Sequence, residues 1–243
     1  MPPAGLQPPA SSRTLAFESP ESRMPSMTRL LTLFLLLAVP FAQAADEGWR
    51  LDKEQDGIQV YTRAVEGQKI REIRGVVGIK ARLSAVVAVL NDVPATPELS
   101  DAIGEAQVLQ RQSAARYQIY QLLKMPWPLD NRDIVSQREI RQDAQTLAVT
   151  IADAATPDAI PPKSGIVRIQ KSRQQWTLTP QADGSVLAEM RAMTDPAGPI
   201  PSSVINSMSV GAPFKSLQKL RVLVQQPKYR DARPDFIKEP PAR

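Results

Sequence analysis

Two proline-rich stretches decide how this chain folds. The first reads PWPLDNRD at residues 126–133, and the second reads DPAGPIP at residues 195–201. Both lie beside strand-like runs of alternating apolar residues, and the second leads into a mixed apolar and polar segment at 202–224 that we predict to be a helix. This order of strands, turn motifs and a final helix is the most informative feature of the chain.

The N-terminal residues read as segments that lie outside the folded domain. A nearly unbroken apolar run at 30–39 follows a charged start and precedes a small-x-small site at 42–44. We therefore expect residues 27–44 to be a signal peptide cleaved after Ala44, and the protein to be periplasmic or secreted. An uncleaved anchor is the alternative, although the run is short for a membrane span of about 20 residues. We interpret residues 1–26 as a non-structural extension.

Composition excludes several classes of chemistry. The 243 residues include 30 Lys and Arg against 25 Asp and Glu, and these charges are interleaved, so the chain lacks the signature of a nucleic-acid-binding protein. It contains neither Cys nor His, which excludes disulfides, Ser-His-Asp or Cys-His catalysis and most zinc chemistry. We predict no metal, no cofactor and no catalytic residue. An enzyme built on this chain would depend on Asp, Glu, Lys, Tyr or Ser.

Periodicity predicts a sheet that is followed by a helix. Two strands at 58–63 and 70–80 precede a short helix that Ser84 can cap. About six or seven further strands follow between residues 106 and 194, with an Asp-Gly hairpin turn before the last one. Runs of strands that end in a helix favour an α+β class with an antiparallel sheet.

The final helix should be irregular, and a tail should follow it. Its apolar residues fall on two adjacent stripes, and Pro213 removes a backbone donor, which predicts a kink or division at 211–213. By periodicity alone, an ordinary amphipathic helix over a sheet is an equal alternative. Pro, Lys, Arg and Asp dominate after residue 226, so we interpret 227–243 as a disordered tail. The folded domain is then 45–226.

The motifs together resemble the START (StAR-related lipid transfer) family, in the form of an exported bacterial member. The resemblance spans about residues 49–223, with PWPL and Arg132-Asp133, Gly165 to Arg168, Trp176 and DPAGPIP in the order of the family. It implies a helix-grip fold, in which a curved antiparallel sheet wraps around a long C-terminal helix and encloses a hydrophobic tunnel. It also implies binding of one lipid or sterol-like molecule, for transfer or sensing, with a membrane surface as a transient partner.

Strand parity within this fold nominates tunnel residues. Ile134, Ser136, Arg138 and Ile140 share one face of their strand, whereas the face with Val135 looks solvated. Arg138 is similar in position to a tunnel arginine of sterol-binding members. It would either meet a ligand head group or pair with an acid of a neighbouring strand. Met190 and Met193 have opposite parity, so at most one of them lines the cavity. The further predicted ligand contacts are Ile119, Trp127, Met193, Ile205, Met208, Phe214 and Leu217. Packing within its own loop is the favoured alternative for Trp127, and core packing is the equal alternative for Met208.

Two other functions fit the same pattern. One is a helix-grip enzyme of the cyclase or hydrolase type that acts on a hydrophobic small molecule. The other is an interaction module whose cavity is filled by its own side chains. For lipid binding the driving force is sufficient, because about twelve buried methylenes contribute roughly 10 kcal/mol before ordering costs.

Overall fold

The computed structural model describes residues 48–68 and 70–241, so the predicted extension and signal peptide lie outside the described residues. The described strands are β1 (Arg50–Gln55), β2 (Ile58–Ala64), β3 (Arg71–Ile79), β4 (Ile103–Arg111), β5 (Arg116–Leu123), β6 (Asn131–Gln142), β7 (Val149–Ala155), β8 (Ile166–Arg168), β9 (Ser172–Pro180) and β10 (Val186–Thr194). The helices are α1 (Leu83–Asn91), α2 (Thr96–Leu99), α3 (Ser202–Asn206), α4 (Ala212–Leu223) and α5 (Pro227–Arg230).

One curved sheet contains all of these strands. Its order is β1-β2-β3-β10-β9-β7-β6-β5-β4, and these neighbours are antiparallel, whereas the short β8 pairs in parallel with β6. The C-terminal helix packs on one face of the sheet, called the inner face below. The predicted α+β helix-grip architecture is therefore confirmed. None of the helices in the described residues is long and apolar enough to cross a bilayer.

Strand alternation builds the core on the inner face. One register row across four central strands carries Val77, Ala188, Leu178 and Val149, and all four side chains are fully buried. The buried stripe of α4 (Phe214, Leu217, Leu220, Leu223) covers this face, and the apolar side chains of α1 belong to the same core. Burial of these side chains is the main force that holds helix and sheet together.

The C-terminal helix is irregular directly before Pro213. A π-helical turn at Ser207–Gly211 connects α3 to α4, and the amide of Ala212 donates to the carbonyl of Ser207, five residues earlier. Proline has no amide hydrogen, and its ring crowds the carbonyl four residues before it, so this turn widens. The irregularity lies where the sequence predicted it, but the helical path continues through it.

The prediction of a disordered tail is wrong for residues 227–241. Tyr229 is buried, and its hydroxyl donates to Asp92 over 3.1 Å. The carboxylate of Glu239 accepts a 2.8 Å hydrogen bond from the amide of Ser84. Ser84 lies inside the first turn of α1 instead of capping it, so Glu239 serves the free amide. A few anchoring side chains thus order a segment whose composition is polar and proline-rich.

Candidate lipid-binding site

A cavity of about 460 Å³ lies between the first half of the C-terminal helix and the sheet rim. Its walls are the residues just before β4, the segment Lys124–Pro126 after β5, and one side of the helical stretch 203–215. This volume falls within the range of about 300–1,000 Å³ that small-molecule sites occupy. The cavity is therefore large enough for a hydrophobic ligand.

The helix leaves this space because its first half carries small residues towards the cavity. Ser203, Ser207 and Gly211 recur every four residues along the cavity wall, and Met208 lines the same wall. These small side chains cannot fill the gap between helix and sheet. The buried stripe of α4 does fill it one turn later, so the first half of the helix is loosely packed and the second half is closed.

Arg138 forms a buried ion pair on the inner face. Its Nε and one terminal nitrogen donate to the two carboxylate oxygens of Asp153, each over 2.7 Å, and the other terminal nitrogen donates to the carbonyl of Leu90. The side chains of Arg138 and Asp153 are 7% and 9% exposed. Burial by itself lowers the pKa of Arg138, but the charge and hydrogen bonds of Asp153 outweigh burial and raise it above the usual value.

Tyr117 extends this polar group toward α1. It lies opposite Arg138 in the register of β5 and β6, and its hydroxyl donates to Asn91. Burial raises the pKa of the Tyr117 hydroxyl, which stays protonated and can donate. Of the two roles predicted for Arg138, the structure contains the ion pair. Contact between Arg138 and a ligand stays a prediction.

Arg132 joins the two proline-rich stretches. Its side chain is buried, and its guanidinium donates to the carbonyls of Pro196 and Ala197 over 3.2 and 3.3 Å and to that of Asp130. Its acceptors are thus backbone carbonyls of both turns. Arg132 lies within the first stretch but is not among the predicted ligand contacts. Arg132 fixes the entry into the C-terminal helix and thereby one end of the cavity.

Residues 38–230 match the family model of the START domain. The chain belongs to the START family. The match includes the whole sheet and the C-terminal helix, so the fold and the family agree.

Known START proteins and related chains are similar to this one over most of its length. An uncharacterised protein of Pseudomonas aeruginosa is 32% identical over 198 residues, which are 80% of this chain and 97% of that protein. Mouse phosphatidylcholine transfer protein is 27% identical over 70% of this chain and 79% of its own length. The crystal structure of a STAR-related lipid transfer protein fragment from Xanthomonas axonopodis is 37% identical, covers 74% of this chain and 99% of that one, and gives a TM-score of 0.67.

The predicted ligand contacts lie in different parts of this START domain, one in the cavity wall and others in the core. Met208 lines the cavity. Four others are buried in the main core cluster, namely Ile119, Ile140, Phe214 and Leu217. Ile134 belongs to a smaller cluster with Leu123 and Ile169. The face of β6 that carries Ile134 and Ile140 thus lies inward, as predicted, but these side chains pack against other core residues and do not line the cavity.

Three more of the predicted ligand contacts do not line the cavity. Trp127 is 93% exposed, since its loop projects from the domain, and Ile205 is 39% exposed on the open side of the helix. Met193 lies opposite Arg173 on the outer face, whereas Met190 lies opposite Trp176 on the inner face. Because side chains alternate along β10, only one of the two methionines can lie on the inner face, and this residue is Met190 instead of the predicted Met193.

The outer face of β6 is more deeply buried than predicted. Val135 is fully buried beside Tyr120, its partner in the register with β5. The chain after β7 covers this patch, because the amide of Thr156 donates to the carbonyl of Val135 and Lys163 lies over the Tyr120 ring.

No group of three or more acidic residues within the described residues is placed to hold a metal ion.

Proposed function

We propose that this START domain binds a single lipid in the cavity beside the C-terminal helix and carries it between membranes. The supporting observation is the combination of that cavity with a loosely packed helical wall at Ser203–Gly211, in a chain similar to phosphatidylcholine transfer protein. An acyl chain gains about 0.8 kcal/mol for each buried methylene, so burial in this space is favourable. The alternative role is that of a sensor, which would bind a lipid without transferring it between membranes.

A membrane surface is the proposed source of the lipid. Among the described residues Trp127 is the most exposed of the large apolar side chains, and it directly follows the cavity segment Lys124–Pro126. Ile205 is exposed on the open side of α3, the helix that begins the cavity wall. Tryptophan favours the bilayer interface, where its ring is apolar and its N–H remains hydrated. The rim of the cavity would therefore rest on the bilayer while the lipid enters.

We also propose that the protein is exported. The support is the order of a charged start, an apolar run and the small-x-small site at 42–44, which is typical of a signal peptide. A periplasmic or extracellular START domain would handle lipids outside the cytoplasm.

We expect a lipid to copurify with the full chain expressed with its own N-terminus. A native mass spectrum should show the polypeptide that begins at Ala45 with one lipid bound. Ser207→Leu, which fills the cavity wall, should remove the lipid, whereas Ser209→Leu, whose position does not line the cavity, should retain it. A chain that starts at Met1 or Met27 would contradict export. A lipid-free chain that accepts no added lipid would favour the interaction module, and conversion of an added molecule would favour the enzyme.

Trp127→Ser should weaken binding to vesicles about fivefold to tenfold, because an exposed Trp loses its contact with the interface. Sedimentation with vesicles of phosphatidylethanolamine and phosphatidylglycerol measures this. Leu187→Ser is the control, since Leu187 is an exposed apolar residue on the outer face of β10 and does not line the cavity. Equal losses in the two variants would show that Trp127 has no special role.

A further inference from the structure

We propose that the ligand of this cavity is a single-chain anionic lipid, bound with its chain under the helix and its head group between Lys124 and Lys215 at the mouth. The shared chemistry is one long alkyl chain that ends in a carboxylate or a phosphate. This inference rests on the proposed lipid-binding function and adds the class and the orientation of the lipid.

Two lysines place positive charge at the mouth of the cavity. Lys124 follows β5 and Lys215 belongs to α4, so the two exposed ammonium groups belong to different walls of the same cavity. Asp101 is the one acidic residue among the described lining residues, and its carboxylate lies 2.5 Å from Nζ of Lys219. The hydrogen bond and charge of Lys219, followed by weaker effects of Lys215 and Lys124, hold the pKa of Asp101 below its usual value.

The charges of Asp101 and Lys219 therefore cancel, and the mouth of the cavity keeps a net positive charge. Asp101 is matched by Lys219, whereas Lys124 and Lys215 form no ion pair within residues 48–68 and 70–241. Two positive charges that belong to opposite walls attract an anion to the space between them. An uncharged or zwitterionic head group would gain less there.

Among the described residues, the interior offers no comparable place for an anion, and the buried Arg168 is already paired with Asp133. The guanidinium of Arg138 is neutralised by both oxygens of Asp153, and that of Arg132 is directed to backbone carbonyls of the two turns. An anionic head group in the interior would have to break these bonds at a cost in buried charge. The chain end, which needs no polar partner, fits the interior better than the head.

Cavity size limits the ligand to one chain. The space of about 460 Å³ extends along the helix only as far as Lys215, and the stripe of α4 beside and beyond that residue, Phe214, Leu217 and Leu220, is buried in the core. A second alkyl chain would have to displace the buried stripe of α4, whose side chains are held by close packing. A two-chain phospholipid therefore fits this conformation worse than a single-chain lipid.

The test compares dodecanoate, dodecyl phosphate and dodecanol, each below its micellar concentration and without vesicles, by titration calorimetry on the full chain. The double variant Lys124→Gln with Lys215→Gln should bind both anions about tenfold more weakly, as expected for the loss of two exposed charge pairs. Its affinity for dodecanol should not change. Salt at 0.5 M should reduce the difference, since the groups are exposed. Lys80→Gln is the control, because Lys80 is exposed but does not line the cavity.

The outcomes separate the inference from the proposed function. Unchanged anion binding in the double variant, or an equal loss for dodecanol, would overturn the lysine site while lipid binding stands. Stronger one-to-one binding of didodecanoyl phosphatidylglycerol than of dodecanoate would overturn the single-chain limit. A larger loss for one anion than for the other identifies the head group and supports the site. Failure of the unmodified protein to bind any of the probes would instead overturn the proposed function.

Discussion

Arg138→Met is expected to lower the free energy of unfolding by about 3–5 kcal/mol, the cost of removing one partner from a buried ion pair. The substitution leaves the carboxylate of Asp153 buried without its two guanidinium hydrogen bonds, and it leaves the carbonyl of Leu90 without a donor. Urea denaturation followed by circular dichroism measures the change, provided that the dependence on urea concentration is the same in both proteins.

Two variants make this result specific to the buried pair. Arg141→Met changes the same residue type on the same strand, but the Arg141 side chain is 80% exposed, so the change should stay within about 0.5 kcal/mol. Arg138→Met combined with Asp153→Leu should recover much of the loss, because an apolar pair needs no charge compensation. If Arg138→Met keeps its stability but no longer binds an anionic lipid, the role of Arg138 is that of a head-group ligand.

Leu217→Ala should lower the free energy of unfolding by about 2–5 kcal/mol, the usual cost of a large-to-small change in a core. Leu217 is fully buried and lies against Gly75, where α4 approaches the sheet most closely. The alanine leaves a cavity at the point that closes the interior. Denaturant titration of the variant measures the loss, and Val222→Ala, at a position of α4 that is 67% exposed, should have little effect.

Gly75→Ala provides the second half of the Leu217 test. Alone it should destabilise the protein, because its Cβ would come within 2.8 Å of Leu217 Cδ1. With Leu217→Ala the added methyl occupies part of the new space, so the double variant should be more stable than the sum of the two single effects predicts. Strictly additive effects would mean that Gly75 and Leu217 do not limit the approach of the helix.

Fold prediction succeeded where local periodicity and burial agree. Alternation along β6 placed Ile134, Ser136, Arg138 and Ile140 on the inner face, and Pro213 located the irregular turn of the final helix. The same alternation in β7 places Val149, Ile151 and Asp153 on one face, so the sequence made Asp153 one candidate partner of Arg138 without pairing the two strands. What parity could not supply is which strand lies beside which. That arrangement depends on long-range pairing.

The exposure of single side chains differs from the prediction where burial depends on distant chain segments. Trp127 looked like a ligand contact by residue type, but its loop has no covering element and projects outward. Val135 looked solvated, but the chain after β7 covers it. The cavity lysines are not among the predicted site residues, because Lys124 and Lys215 are 91 residues apart in the sequence and only the fold brings them to one cavity.

The sequence by itself determined the α+β class, the helix-grip family and the parity of the inner face, because each follows from local alternation and from ordered motifs. Only the tertiary structure decided that Arg138 is neutralised by Asp153, that residues 227–241 are ordered, and where the cavity opens. These outcomes depend on which polar groups are desolvated together and on how closely side chains from distant segments pack. A backbone periodicity carries no information about either quantity.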